Sequence, residues 1–524
     1  MEDSDKTALP SLRGVAGMVV VAGVLSRVVG VLREVLIARH FGVSAELDAV
    51  YLGIAAPMSV AFGVGSGMVR AGVAAAAGME PARMAALMRY GARRMLLWMV
   101  PGSLILAATA PVWAHWMGAH EGPAAASVLV TSAIFTSLML SASGLAGFYA
   151  GLINARGSHF APAMTPLVYN VIVCAAIAIL HARLGALSVL AGIVAAEIFQ
   201  VVIYRPVLGT LLPARGEAML PPPRAEWAAL TAVFAPALLS AMLLNGNTAI
   251  DRFFAGRLQE GSIAALAYAD KLVNLPAGLL GMALAVPMAT RLGRYRAAGE
   301  EGAFARTLLL GVRVLLLAGL PAVALLATTA RPAVGLLLER GAFQATGVDL
   351  CARALSGYAF AIPFVAIAPL LIGAGLTHRK PWLVVWIMIA TSVENALLDW
   401  VLAAKFGIIG ITISTTAVAL TRVALMLHLA SPGIWRERGL WGTLARASVF
   451  TALLGAALWF VRNGNAEFFE SPKFVERVVA LAIAGGVGAV VTAVLWFPLL
   501  RREWKSLEVL RGEVAEYARK KEEG

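Results

Sequence analysis

Arg27 and Arg33 sit in one long apolar stretch, Asp251 and Arg252 in another, and Asp270 and Lys271 in a third. A charge at the centre of a bilayer helix costs roughly 2.5 to 3.5 kcal/mol even on a lenient insertion scale, so such residues face a water-filled cavity or a partner. Arginine offers a planar fork of donors that matches phosphate oxygens, and lysine a compact point charge. The cationic members of this set point to an anion handled inside a membrane. A second constellation is acidic and polar. Asn395 and Asp399 are four residues apart and share a helix face, while Asp251 and Thr415 lie in other apolar stretches. Carboxylate, amide and hydroxyl oxygens from three helices suit a hard cation, and a main-chain carbonyl near Ile411 is available to complete the shell. The competing reading is plain hydrogen bonding between helices, with Asp251 paired to Arg252.

Such residues need membrane-spanning elements to hold them, and the composition supplies these. The chain is 60% hydrophobic and 14% charged, and apolar runs of about 20 residues, the length that a bilayer core demands, recur from end to end. They give about 14 spans, from 13–39 and 47–77 to 444–462 and 476–499. Backbone groups in lipid must be satisfied within the segment, and the pattern lacks the two-residue alternation of a barrel, so the spans are helices. The fold class is an all-α polytopic membrane protein.

The net charge of +13 does not mark a nucleic-acid binder, because Lys and Arg gather in alternate loops: Arg83, Arg89, Arg93 and Arg94, then Arg215 and Arg224, then Arg291, Arg294 and Arg296, then Arg379 and Lys380, then Arg436 and Arg438. By the positive-inside rule these loops and both termini are cytoplasmic. The first apolar stretch is longer than a signal-peptide core and reads as a retained helix. Cys174 and Cys351 fall in or near separate spans, which argues against a disulfide framework. There is no paired-histidine zinc pattern, no P-loop, and no constellation of nucleophile and base, so neither an ATP-driven pump nor an enzyme is expected.

Internal repetition suggests a duplicated carrier. Arg33, Gly42 and Pro57 have the same spacing as Arg252, Gly261 and Pro276, and Ala150-Gly151-Leu152 before Arg156 and His159 echoes Ala374-Gly375-Leu376 before His378, Arg379 and Lys380. Both echoes run in one direction over six helices, which makes two parallel six-helix lobes. The organisation is a cytoplasmic N-terminus 1–12, an N-lobe 13–207, a cytoplasmic linker 208–227, a C-lobe 228–429, two further helices within 444–499, and a cytoplasmic amphipathic tail 500–524.

Ser26-Arg27-Val28-Val29-Gly30, continuing through Arg33-Glu34, Ala38-Arg39, Phe41-Gly42 and Asp48-Ala49, resembles the first helix pair of the MurJ (MviN) lipid II flippases, of the multidrug/oligosaccharidyl-lipid/polysaccharide exporter superfamily. Tyr268-Ala269-Asp270-Lys271-Leu272 with Pro276-Ala277-Gly278, and Glu339-Arg340-Gly341-Ala342-Phe343, resemble it too. The resemblance implies transport of an undecaprenyl-diphosphate-linked peptidoglycan precursor from the inner to the outer leaflet of the bacterial cytoplasmic membrane. It implies alternating access driven by membrane potential, sodium or both. It places Arg27, Arg33 and Lys271 on the substrate head group; the residues themselves offer Glu34, Asp48, Asp270 and Arg252 as charge partners, and pairing of Arg27 and Arg33 with Glu34 or Asp48 as packing between helices is the competing reading. It makes Asp251, Asn395, Asp399 and Thr415 similar to a sodium site, with sodium the candidate coupling ion and no other cofactor. The partners expected are the glycan lipid, membrane phospholipids and cell-wall synthesis proteins, around a monomer; helices 13 and 14 would flank a groove for the lipid tail.

Two departures from the family stand out. Lys271 replaces an arginine and loses the bidentate fork. After Pro57, where the family has an arginine pair and then a glutamate, this chain has Met58-Ser59-Val60-Ala61-Phe62-Gly63-Val64-Gly65-Ser66. That opens the alternative of another polyprenyl-linked polysaccharide unit as cargo; a cation-coupled drug antiporter, the reading from another class, would want an acidic, aromatic cavity and would not need helices 13 and 14. Gly63, Gly65 and Gly67 suit close helix packing or a bend. Asp48, near a helix end, also suits a cap. Arg70 and Arg422 are expected to snorkel to a surface. Glu197 and Glu394 lie deeper, and no motif gives them a role.

Overall fold

The computed structural model describes residues 12–117, 122–212, 224–376 and 382–495, with positions 501, 505, 508 and 512. The basic turn at 378–380, most of the linker 208–227, the first eleven residues and nearly all of the tail 500–524 therefore lie outside the described residues. Within them the chain is helices and connecting turns.

Thirteen helices are long and apolar enough to cross a membrane, and α1 (Leu12–Phe41) precedes them. In order these are α2 (Ala45–Ala76), α3 (Pro81–Met117), α4 (Pro123–Ala155), α5 (Phe160–Leu184), α6 (Leu187–Leu211) and α7 (Arg224–Ala255). There follow α8 (Ser262–Ala285), α9 (Glu301–Leu338), α10 (Ala345–Leu371), α11 (Trp382–Phe406), α12 (Ile408–Ala430), α13 (Arg438–Gly464) and α14 (Phe474–Leu495). Within the described residues each span read from the sequence lies largely on one of these helices, and the end of 476–499 falls outside them. α3 and α9 run longer than their apolar stretches, at 37 and 38 residues. At 1.5 Å per residue that is about 55 Å, so their charged first turns continue as helix past the thickness of a bilayer core. Local irregularities interrupt others: α4 breaks at Met139, α8 passes through a π-helical turn at Gly281–Ala285 into Val286–Ala297, and α10 narrows to a 3-10 turn at Ala359–Ala361.

The chain divides into two compact units, residues 1–37 with 49–246 and residues 38–48 with 247–524. In the first, glycines set the packing. A Cβ on Gly147 would collide with the backbone of Gly65, and one on Gly151 would lie 2.7 Å from the Val69 carbonyl and 3.0 Å from Gly72 Cα, so α2 and α4 touch main chain to main chain. Gly63 and Gly67 present the same close approach to Met242 and Leu238 of α7. The glycine-rich stretch is thus a packing surface, as small residues in membrane helices commonly are. Around it Met68, Phe148, Leu152, Tyr204 and Leu230 form a buried core.

In the second unit α9 is the spine, packing against α8, α10, α13 and α14. The motif residues Phe41-Gly42, Asp48, Tyr268 and Gly341-Ala342-Phe343 meet in one knot. Gly42 and Gly261, the repeat-related pair, both adopt positive φ (57° and 83°), as does Gly341 (63°); side chains there would be strained. The Tyr268 hydroxyl donates to the Gly42 carbonyl at 3.0 Å, and its ring stands edge-on to Phe343 at 5.4 Å. The Ala342 amide donates to the Arg39 carbonyl at 2.9 Å.

Candidate functional site

α1 delivers Arg33 into a polar cluster of the first unit. Its guanidinium donates to Glu34 Oε1 at 2.5 Å and 3.2 Å and to Asn170 Oδ1 of α5 at 2.8 Å. Asn170 in turn donates to the Ser26 carbonyl at 3.1 Å. Glu34 is buried, and its other oxygen, Oε2, has no hydrogen-bond partner. The cluster pairs one positive with one negative charge and leaves one buried acceptor, Glu34 Oε2, without a partner. Arg27, one and a half turns earlier, is partly exposed. Asn170 is a participant that sequence reasoning missed; a lone amide in an apolar span was its only signal.

Lys271 of α8 is about half exposed and pairs with Asp270 at 3.3 Å. Asp270 also accepts from Asn274 Nδ2 at 2.8 Å. Such an exposed pair is worth little energetically, so the ammonium is readily released to another anion. Asp48 plays a structural role, with its two oxygens accepting from the Gly261 and Ala264 amides, both at 2.7 Å. It caps a helix, as its position suggests, but the helix is α8 rather than its own. Arg70 and Arg422 do not reach for a surface. Arg70 donates to the Ala237 carbonyl at 3.2 Å and Arg422 to Thr391 Oγ1 at 3.3 Å, because each has an acceptor on a neighbouring helix within reach.

The acidic constellation comes together in the second unit. Asp251 Oδ1 accepts from Asn395 Nδ2 at 2.7 Å and Oδ2 from Thr415 Oγ1 at 3.0 Å; Asn395 Nδ2 also lies 3.3 Å from Asp399 Oδ2. Asp251, Asn395 and Asp399 are 5%, 0% and 0% exposed. Asp251 does not spend its carboxylate on Arg252 alone. Two oxygens, Asn395 Oδ1 and Asp399 Oδ1, are buried without a hydrogen-bond partner. Orphaned acceptors beside two buried carboxylates are what a hard cation needs, since leaving such groups uncompensated costs several kcal/mol. The residues present therefore fit a bound cation. Ser414, whose hydroxyl donates to the Asn395 carbonyl at 3.4 Å, and buried Tyr358 beside Thr415 complete the surroundings. Neither shows in sequence spacing. Gly357 seats α10 against Thr412 of α12, and a Cβ there would collide with the threonine side chain.

Between α9, α13 and α14 lies an apolar groove of about 650 Å³, lined among others by Pro321, Leu325, Leu454, Gly485, Gly488 and Thr492. Glycines on α14 leave it open. Both cysteines carry free thiols.

Comparison with known proteins gives this geometry a context. The sequence profile of the family described as "Lipid II flippase MurJ" matches residues 37–479. A "Lipid II flippase MurJ" of Burkholderia cenocepacia is 26% identical over 452 residues, covering 83% of this chain and 86% of that protein. A "Probable lipid II flippase MurJ" of Vibrio cholerae is 28% identical over 227 residues, 43% of each chain, so that match spans less than half of the Vibrio protein. Among solved structures, one described as "Lipid II flippase MurJ, inward closed conformation" aligns with a TM-score of 0.75 at 18% identity, covering 92% of this chain and 99% of that one. A structure described as an inward-facing "multidrug resistance MATE family transporter of the MOP superfamily" aligns with a TM-score of 0.59 at 15% identity, over 81% of this chain and 99% of its own.

Proposed function

The chain belongs to the lipid II flippase MurJ family, and from that premise we propose that it moves lipid II, the polyprenyl-diphosphate-linked peptidoglycan precursor, from the inner to the outer leaflet of the bacterial cytoplasmic membrane. The observation that carries the proposal is the set of cations placed in otherwise apolar helices, Arg27 and Arg33 of α1 and Lys271 of α8. A diphosphate cannot cross hydrocarbon unaided, and these groups offer it charge and directed donors. Arg33 leaves Glu34 only in part, using its fork on both, while Lys271 exchanges Asp270 for phosphate oxygen. The lipid tail stays in the apolar groove beside α13 and α14. Transport, not covalent chemistry, is the activity.

Asp251, Asn395, Asp399 and Thr415 would hold sodium. A sodium ion bound there would supply the positive charge that the two carboxylates lack. An inside-negative potential of about 100 mV favours outward movement of each negative charge by roughly 2.3 kcal/mol and inward return of a cation by as much, so the cycle runs without ATP. Both termini and the basic loops are cytoplasmic in this scheme. The test is lipid II flipping in proteoliposomes holding the purified protein. The expected result is acceleration when an inside-negative potential is imposed and slowing when sodium is removed. Indifference to both would remove this account of the energy source.

A further inference from the structure

The first unit contains a buried carboxylate that the proposed transport cycle does not use. Glu197 of α6 is 8% exposed and accepts from Ser143 Oγ at 2.9 Å and from the Gln200 side chain; no Lys, Arg or His pairs with it among the described residues. It lines a cavity of about 490 Å³ between α2, α4, α5 and α6, together with Phe62, Ser66, Tyr169, Gln200 and Tyr204. The α2 wall is the stretch after Pro57, where Met58, Ala61, Phe62 and Ser66 line the cavity, so it receives no cation from α2. Arg33 approaches the opposite wall through Asn170, but its charge is met by Glu34 at 2.5 Å.

Size and lining select the occupant. A water takes about 30 Å³, whereas pockets of about 300 to 1,000 Å³ hold small organic molecules. A bare ion would leave most of this volume empty. An anion would meet an uncompensated carboxylate. Three aromatic rings, those of Phe62, Tyr169 and Tyr204, line the cavity together with Glu197. A carboxylate within aromatic walls is the chemistry that recognises an organic ammonium group, by charge and by cation–π attraction.

We propose that this cavity is a binding site for an organic ammonium group, with Glu197 as its counter-ion. The group is either an amine carried on the lipid-linked cargo or a free aromatic or amphiphilic amine. The site stands independently of the cargo assigned above.

The test uses the full-length protein in lipid nanodiscs, titrated with benzylammonium and with its neutral isostere benzyl alcohol. Wild type should bind the cation at least about tenfold more tightly than the alcohol. That preference should vanish in Glu197→Gln and in Ser66→Arg, which installs an internal cation. Unfolding midpoints measured without ligand check that both variants are folded. A second arm in proteoliposomes separates the sources. If Glu197→Gln slows flipping of amine-bearing cargo but not of its N-acetylated form, the ammonium belongs to the cargo. If it abolishes benzylammonium uptake and leaves both cargoes unaffected, the ligand is a free cation. Equal affinity of wild type for the two probes, or a preference unchanged in folded Glu197→Gln, overturns the site. Failure of wild type to flip lipid II, with the benzylammonium preference intact, would sink the cargo assignment alone.

Discussion

At the scale of single residues, the protein keeps charges in apolar helices by giving each an incomplete set of partners. Arg33 is held by Glu34 and Asn170 while one glutamate oxygen stays unsatisfied, and Asp399 retains an orphaned oxygen beside Asp251. The cation reading of the second cluster makes a sharp prediction. Asp399→Asn keeps the shape but removes a charge and turns an acceptor edge into a donor. Flipping should need more sodium, with the sodium concentration for half-maximal rate rising at least about tenfold, as expected for losing one charged ligand of a hard cation. Unchanged sodium dependence in the variant would reduce the cluster to hydrogen-bonded packing. Much of this is legible without the fold. Asn395 and Asp399 stand one turn apart in an apolar span, and polar residues in such spans draw attention. Asn170, Ser414 and Tyr358 are not legible, because their partners are far away in sequence and only tertiary packing brings them together. Arg70 and Arg422 are misjudged from sequence for the same reason: an acceptor on a neighbouring helix cannot be read from the helix that carries the arginine.

At the scale of elements, helix positions are legible from apolar run length, and helix ends are not. Hydrophobicity reports the part of a helix that lipid would surround, whereas hydrogen bonding carries α3 and α9 onward through charged turns. The break at Met139 and the π-helical turn at Gly281–Ala285 carry no signal in periodicity. The equal spacing of Arg33, Gly42 and Pro57 with Arg252, Gly261 and Pro276 has one local counterpart: Gly42 and Gly261 both take positive φ, 57° and 83°. Asp48 then fixes the start of α8 through two amide hydrogen bonds. Asp48→Ala removes that cap and leaves two buried donors unsatisfied, at a cost of about 1 to 3 kcal/mol. Thermal unfolding of the purified protein should show a lowered midpoint, and Asp48→Asn should recover part of the loss. A midpoint equal to wild type in Asp48→Ala would show that the cap contributes nothing.

At the scale of the whole molecule, the proposed orientation is drawn from the alternation of basic and charge-poor loops, and it puts both termini on the cytoplasmic side. In a background with Cys174 and Cys351 replaced, a single cysteine at Gly407 should react with a membrane-impermeant maleimide in intact cells. One at Gly299 should react only after permeabilisation. The reverse pattern would invert the proposed orientation and with it the direction of transport. The central claim is that this chain transports lipid II through the cations of its apolar helices, and growth rescue tests it most directly. The resident lipid II flippase of a bacterium is depleted while this protein, Arg33→Ala or Lys271→Ala is supplied, with membrane levels checked for each. The account predicts that the wild type restores growth and that both variants fail at equal abundance. Failure of the wild type to rescue despite confirmed membrane expression, or rescue by both variants as well as by the wild type, would contradict it.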